Sequence, residues 1–204
     1  MKFPIIRNID DLLQSINQKH FIIKKTPLYI SVCYYFNSEE VFPSRLTNPV
    51  EYSYSVECRG IKFCPVTGKI LARPLHKFFN LNERNDSSKE EITKIYNKSY
   101  NITIMEKLDG SMIHPMKIHT GEILWCTKMG TNSISNMAEN FVKKNRNYID
   151  FAEWCFSQGE MGWTPIFEYV SLENRIVIEY EKENLILIAI RDNVTGKYVK
   201  YEEN

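Results

Sequence analysis

Lys107 lies in the stretch ITIMEKLDGSMI, residues 102–113, with Glu106 before it and Asp109-Gly110 just after. A lysine at a strand end beside a glycine can be partly desolvated, and desolvation favours the neutral, nucleophilic amine. Glycine at 110 would let a ligand come close to the backbone. Alternation from Thr103 puts Met105 and Lys107 on one face and Ile104 and Glu106 on the other, with Asp109-Gly110 turning the chain back. An isolated K-x-D-G is nonetheless more often a solvated lysine beside a tight turn.

Other residues offer complementary chemistry. Arg59, in E-C-R-G, suits bidentate contact with a phosphate or carboxylate, or a plain surface ion pair. Lys77-Phe78-Phe79-Asn80 joins a cation to two aromatics: Phe79 could stack on a base while Lys77 meets a phosphate, or both rings could belong to the core. Glu168 shares a strand face with Ile166 and Val170, and a carboxylate on an apolar face calls for a hydroxyl, a metal or a basic partner. Lys143, Lys144 and Arg146 form a mid-helix basic cluster, usually a solvated face and alternatively an RNA contact. His76, His114 and His119 show no ligand spacing.

The elements that must position these groups are mostly short strands. A helix is expected in the first twenty residues, around Leu12, Leu13 and Ile16, with Asp10 and Asp11 near its start. Strands are expected over Tyr29–Phe36, Tyr52–Val56, Gly60–Phe63 and Lys69–Ala72, the last two joined by a turn at Pro65–Gly68. Residues 82–101 read as loop with a short helix at Lys89–Tyr96. A hairpin follows over Pro115–Ile118 and Glu122–Cys126. Phe141, Tyr148, Ala152 and Phe156 predict one helix over Ser135–Gln158, ended by Gly159. Strands at Ile166–Val170, Arg175–Tyr180 and Leu185–Ile190 complete an α+β domain of antiparallel sheets, with a turn at Asn193–Lys197.

The 204 residues suit one sizeable domain, with 43% hydrophobic and 25% charged residues. No apolar run approaches the roughly 20 residues of a membrane span, and the charged, proline-bearing start does not read as a signal peptide. A soluble protein of the cytoplasm is expected. Five cysteines, at 33, 58, 64, 126 and 155, lack C-x-x-C spacing and read as free thiols. With a net charge of +1, any nucleic-acid surface must be a local patch.

E-C-R-G at 57–60, R-P-x-x-K-F-F-N-L-N-E at 73–83, E-K-L-D-G-S at 106–111, T-K-M-G at 127–130 and F-E-Y-V-x-x-x-N-R-I-V at 167–177 form one ordered series. From about residue 30 onward the chain resembles the adenylyltransferase domain of T4-type RNA ligases, within the covalent nucleotidyltransferase superfamily. That resemblance implies that Lys107 attacks the α-phosphate of ATP to form lysyl-AMP. AMP would then pass to an RNA 5′-phosphate, and a 3′-hydroxyl would displace it to seal the strand. Arg59 and Lys77 would contact the nucleotide's phosphate region, Phe79 would pack near it, and Asp109, Gly110 and Lys128 would line the site. Glu168 would hold the ribose or a metal-bound water, and Tyr34 would supply another ATP contact. Magnesium would neutralise the phosphates. Viral or phage origin and RNA repair, such as tRNA repair, are family associations.

The family's later acidic E-G strand and K-x-K pair are not found. Lys197 and Lys200 have the wrong spacing and read as a solvated strand end. The expectation is one domain over 1–204, truncated before its last motifs and C-terminal domain. Without the lysines that hold the α-phosphate, the nucleophile should be impaired. The alternatives are therefore half of a split ligase completed by a second polypeptide, or a nucleotide- or RNA-binding module without turnover. A guanylyltransferase shares K-x-D-G but not K-F-F-N.

Overall fold

Pro49, directly after Asn48, starts a helix where side-chain alternation suggests a strand. Asn48 accepts the Glu51 amide and proline occupies the first turn, so α2 runs Pro49–Ser55 in place of the strand expected over Tyr52–Val56. The computed structural model describes residues 3–98 and 104–200. In chain order the other elements are α1 (Ile9–Leu13), β1 (Phe21–Lys25), β2 (Ile30–Tyr34), β3 (Arg59–Phe63), β4 (Ile70–Ala72), α3 (Lys89–Lys98), β5 (Ser111–Lys117), β6 (Ile123–Cys126), α4 (Ser133–Lys143), α5 (Asn147–Phe156), β7 (Trp163–Val170) and β8 (Asn184–Asp192).

The strands form two antiparallel sheets, ordered β1-β2-β3-β4 and β6-β5-β7-β8. With helices packed on them, this is the expected α+β class. The turn at Pro65–Gly68 and the 115–126 hairpin are where the sequence puts them. β1 is an addition, paired along its full length with β2.

Two further expectations fail for physical reasons. The 135–158 helix is two helices, with Lys144 closing α4 and Arg146 opening α5. Phe141 and Tyr148 still meet across the break at 5.8 Å, and Tyr148 packs on Phe167 at 5.9 Å. The periodicity therefore records a shared core, not one continuous helix. Arg175–Tyr180 forms no strand, because Asp109 takes the backbone N–H groups of Val177 and Ile178.

One core fills the first sheet's face, with Leu12, Val32, Phe42, Val56, Ile61 and Phe63. A second joins Ile113, Trp125, Phe167 and Leu185 to α4 through Ala138 and Val142. A small third cluster joins the sheets, with Tyr29, just ahead of β2, and Ala72 of β4 against Met116 and Cys126 from the second sheet.

Glu57, just ahead of β3, adds a charged tie. Its fully buried carboxylate meets Arg73 Nε at 3.0 Å and Arg191 Nη2, from β8, at 2.7 Å. Arg73 and Arg191 also donate to the carbonyls of Val194, Pro74 and Gly196, so the buried charges are well satisfied. Burial alone would raise the Glu57 carboxyl, but Arg191 and Arg73 outweigh it and hold it at about 2. Burial also lowers Arg73 despite this partner; the carboxylate's downward shift is the one that governs the pair, because guanidinium stays charged throughout. All five cysteines are free and buried, and among the described residues no helix is long and apolar enough to cross a membrane.

Candidate functional site

Residues 104–109 have no regular structure, and Lys107 is exposed among them. The strand alternation expected through Lys107 is absent, Thr103 lies outside the described residues, and Asp109-Gly110 leads straight into β5 without reversing the chain. The desolvation expected at Lys107 is not provided: the residue is open to water.

Hydrogen bonds to one stretch, 168–180, position this segment. Asp109 Oδ2 accepts the amides of Val177 and Ile178 at 2.6 and 2.7 Å, while the Asp109 amide donates to the Tyr180 hydroxyl at 3.0 Å. The Ile178 and Val177 amides hold the Asp109 carboxyl below its ordinary range. Gly110 donates to Glu168 Oε1 at 3.0 Å, and Ser111 Oγ donates to Asn174 Oδ1 at 3.1 Å. Gly110 is required sterically, since a Cβ there would lie 2.3 Å from the Tyr169 carbonyl oxygen. Burial raises the Glu168 carboxyl; the Gly110 amide and then Lys107 and Arg59 partly restrain that rise.

Cations on aromatic rings make up the other side. The Lys128 ammonium sits 5.5 Å from the Tyr34 ring centre, and that of Lys77 sits 4.3 Å from the Phe79 ring. Phe79 also carries Arg84 at 4.6 Å and packs edge-on against Phe42, so its ring is both core and cation support. Arg59 lies 5.4 Å from the Phe78 ring and donates to Met112 Sδ at 3.5 Å. Met112 is the β5 partner of Glu168, so Arg59 links the cationic side to the Glu168 side. Burial lowers Lys77 below its ordinary range despite Glu83, and repulsion from Arg59, Lys128 and Arg84 adds to the effect. Gly60 follows Arg59 with φ +90°, and a Cβ there would meet the Lys128 carbonyl oxygen at 2.4 Å.

Tyr34, Arg59, Lys77, Phe79, Lys107, Asp109, Gly110, Lys128 and Glu168 thus form one linked neighbourhood where the two sheets meet. Glu168 Oε2 makes no hydrogen bond among the described residues, so one carboxylate oxygen there is open to a hydroxyl or a cation. Among those residues no group of three or more His, Cys, Asp or Glu could cage an ion without a substrate.

The basic cluster is not mid-helix. Lys143 ends α4, Lys144 and Arg146 lie in the link to α5, and Lys143 and Arg146 pair with Glu139 and Asp150 at 2.7 and 3.4 Å. It is a solvated pair of helix ends.

Residues 57–204 match the family model described as RNA ligase, of the T4 type. The chain belongs to the T4-type RNA ligase family. It is 35% identical over 184 residues to a provisionally named RNA ligase of Thermovibrio ammonificans, covering 90% of this chain and 44% of the relative. It is 30% identical over 156 residues to a provisionally named bifunctional polynucleotide kinase/RNA ligase of Autographa californica nuclear polyhedrosis virus, covering 70% of this chain and 22% of the relative. RNA ligase 1 of bacteriophage TS2126 is 24% identical over 145 residues, with coverages of 70% and 36%. The chain therefore spans less than half the length of each of these relatives.

In this T4-type ligase chain, charge and spacing mark the candidate site more than enclosure does. Hollows of about 330 and 400 Å³ open elsewhere, beside Tyr169 and Glu183 and beside Leu71 and Ile118, and none of the nine residues lines them. Sequence reasoning gave no role to Glu57, Lys62, Asn174 or Tyr180. Glu57 and Asn174 stood within quoted motifs, but their partners are too distant in sequence to read. Lys62 is buried because both faces of β3 are covered, its own by the Lys128 segment, and no local pattern reports that contact.

Proposed function

We propose that this chain is the nucleotidyltransferase module of an ATP-dependent RNA ligase. Lys107 Nζ attacks the α-phosphorus of ATP; an N–P bond forms, the P–O bond to pyrophosphate breaks, and the amine proton passes to solvent. An oxygen of an RNA 5′-phosphate then takes the AMP, breaking the P–N bond. A 3′-hydroxyl finally attacks that activated phosphate, forming the phosphodiester and releasing AMP.

The observation that carries this reading is the tie of the Lys107 segment to Glu168 through Gly110, beside the cations Arg59, Lys77 and Lys128. Fixed cations next to a nucleophile neutralise the attacked phosphate and the departing pyrophosphate, and positioning supplies much of the rate in such transfers. Tyr34 holds Lys128, and Phe79 holds Lys77, at fixed places along the phosphates. Glu168 Oε2 is available to a ribose hydroxyl or a metal-bound water. Magnesium, when bound there, supplies further charge neutralisation. RNA is the partner that this chemistry requires, and a second polypeptide completing the site is compatible with it.

Incubation with α-labelled ATP and magnesium tests the reading. The expected result is a covalent label that γ-labelled ATP does not give, that labelled GTP does not replace, and that Lys107→Ala abolishes. ATP binding without label would instead support the binding module.

A further inference from the structure

We propose that Tyr35, Phe36 and Phe78 form a stacking platform for unpaired nucleotides at an RNA end, bordering the Arg59, Lys77 and Lys128 cluster. The inference rests on the reading above and specifies where its RNA lies. The three rings are unusually open, at 63%, 70% and 49% exposure. β2 ends at Tyr34, so Tyr35 and Phe36 emerge just beyond the sheet, with their rings 5.3 Å apart and tilted by 35°.

Both ends of that aromatic pair connect to the cationic cluster. On one side, Tyr34 lies under Lys128. On the other, Asn37 hydrogen-bonds Glu83, which pairs with Lys77 at 3.9 Å. Lys77 in turn donates to the Phe78 carbonyl at 2.8 Å, and the Phe78 ring faces Arg59. Exposed aromatic rings beside clustered cations suit single-stranded nucleic acid: bases stack on the rings and phosphates meet the cations. Charge complementarity with a polyanion selects RNA over an apolar protein partner.

The test uses a 5′-phosphorylated single-stranded oligoribonucleotide carrying 2-aminopurine near its 5′ end. Wild type should bind it with quenching of the base. The Tyr35→Ala/Phe36→Ala double variant should bind about tenfold or more weakly and lose the quenching, and Phe78→Ala should weaken binding in the same direction. For the Tyr35→Ala/Phe36→Ala double variant, unchanged thermal unfolding and unchanged AMP labelling at Lys107 would accompany the loss, since neither residue of the pair lies in the proposed transfer chemistry. Failure of wild type to bind the oligoribonucleotide, or variants that bind and quench as wild type does, would overturn the platform and leave the rings to a protein partner. Absence of AMP labelling in wild type would count against the transfer reading alone, because the binding measurement does not depend on it.

Discussion

The Gly110 amide donates to the Glu168 carboxylate at 3.0 Å, fixing the chain three residues beyond Lys107 to the last part of β7. Since a Cβ at 110 would strike the Tyr169 carbonyl oxygen, Gly110→Ala must push the segment away from β7. The expected outcome is loss of lysine adenylylation by about 100-fold or more, on the scale of misplaced reacting groups. Labelling rates with α-labelled ATP check this.

Asp109 organises the segment that carries Lys107. Its carboxylate is occupied by the Val177 and Ile178 amides. Asp109→Ala should free both amides, so their hydrogen-exchange protection should fall while that of β8 stays unchanged. Adenylylation should drop by about 10- to 100-fold. Unaltered protection at 177 and 178 would contradict the assignment.

These bonds also explain which parts of the molecule were legible in its sequence. The ordered motifs pick out residues that the fold brings into one neighbourhood, and turn chemistry at Pro65–Gly68 agrees with the hairpin found there. Arg175–Tyr180 failed as a strand because its amides serve a carboxylate some seventy positions earlier, a relation that no local pattern reports. Tyr52–Val56 alternates as a strand would, but the Asn48 cap and Pro49 start a helix that overrides the alternation. The Glu57 tie to Arg191 is a long-range pairing, invisible until the sheets are assembled.

That tie should govern acid stability. Glu57 is held at about 2, below its unfolded value of 4.5, so its stabilisation is complete above that unfolded value and is lost as pH falls toward 2. Glu57→Gln breaks a buried ion pair and should cost about 3–5 kcal/mol at neutral pH. The deficit should shrink in acid, as urea unfolding at pH 7 and pH 3 would show.

Lys62 should act in the opposite pH range. Fully buried, its ammonium donates to the carbonyls of Gly60 at 2.5 Å and Lys128 at 3.3 Å. Burial lowers it from 10.5 to about 8, with Cys126 and Cys33 opposing and Lys24 assisting, while His114 also lies within its field. Between those two pH values the unfolded chain binds more protons, so folding stability rises with pH. Relative to Lys62→Met, wild type should gain about 1–2 kcal/mol from pH 7.5 to 9.5, read from urea unfolding.

In the proposed reaction, Lys107 is the residue that carries AMP. Digestion of the chain after incubation with ATP and magnesium, followed by peptide mass mapping, tests it most directly. One AMP per chain is expected, joined through an acid-labile P–N bond to Lys107 and absent from Lys107→Arg. AMP on any other lysine, or ATP bound without covalent transfer under conditions where the chain is folded, would contradict it.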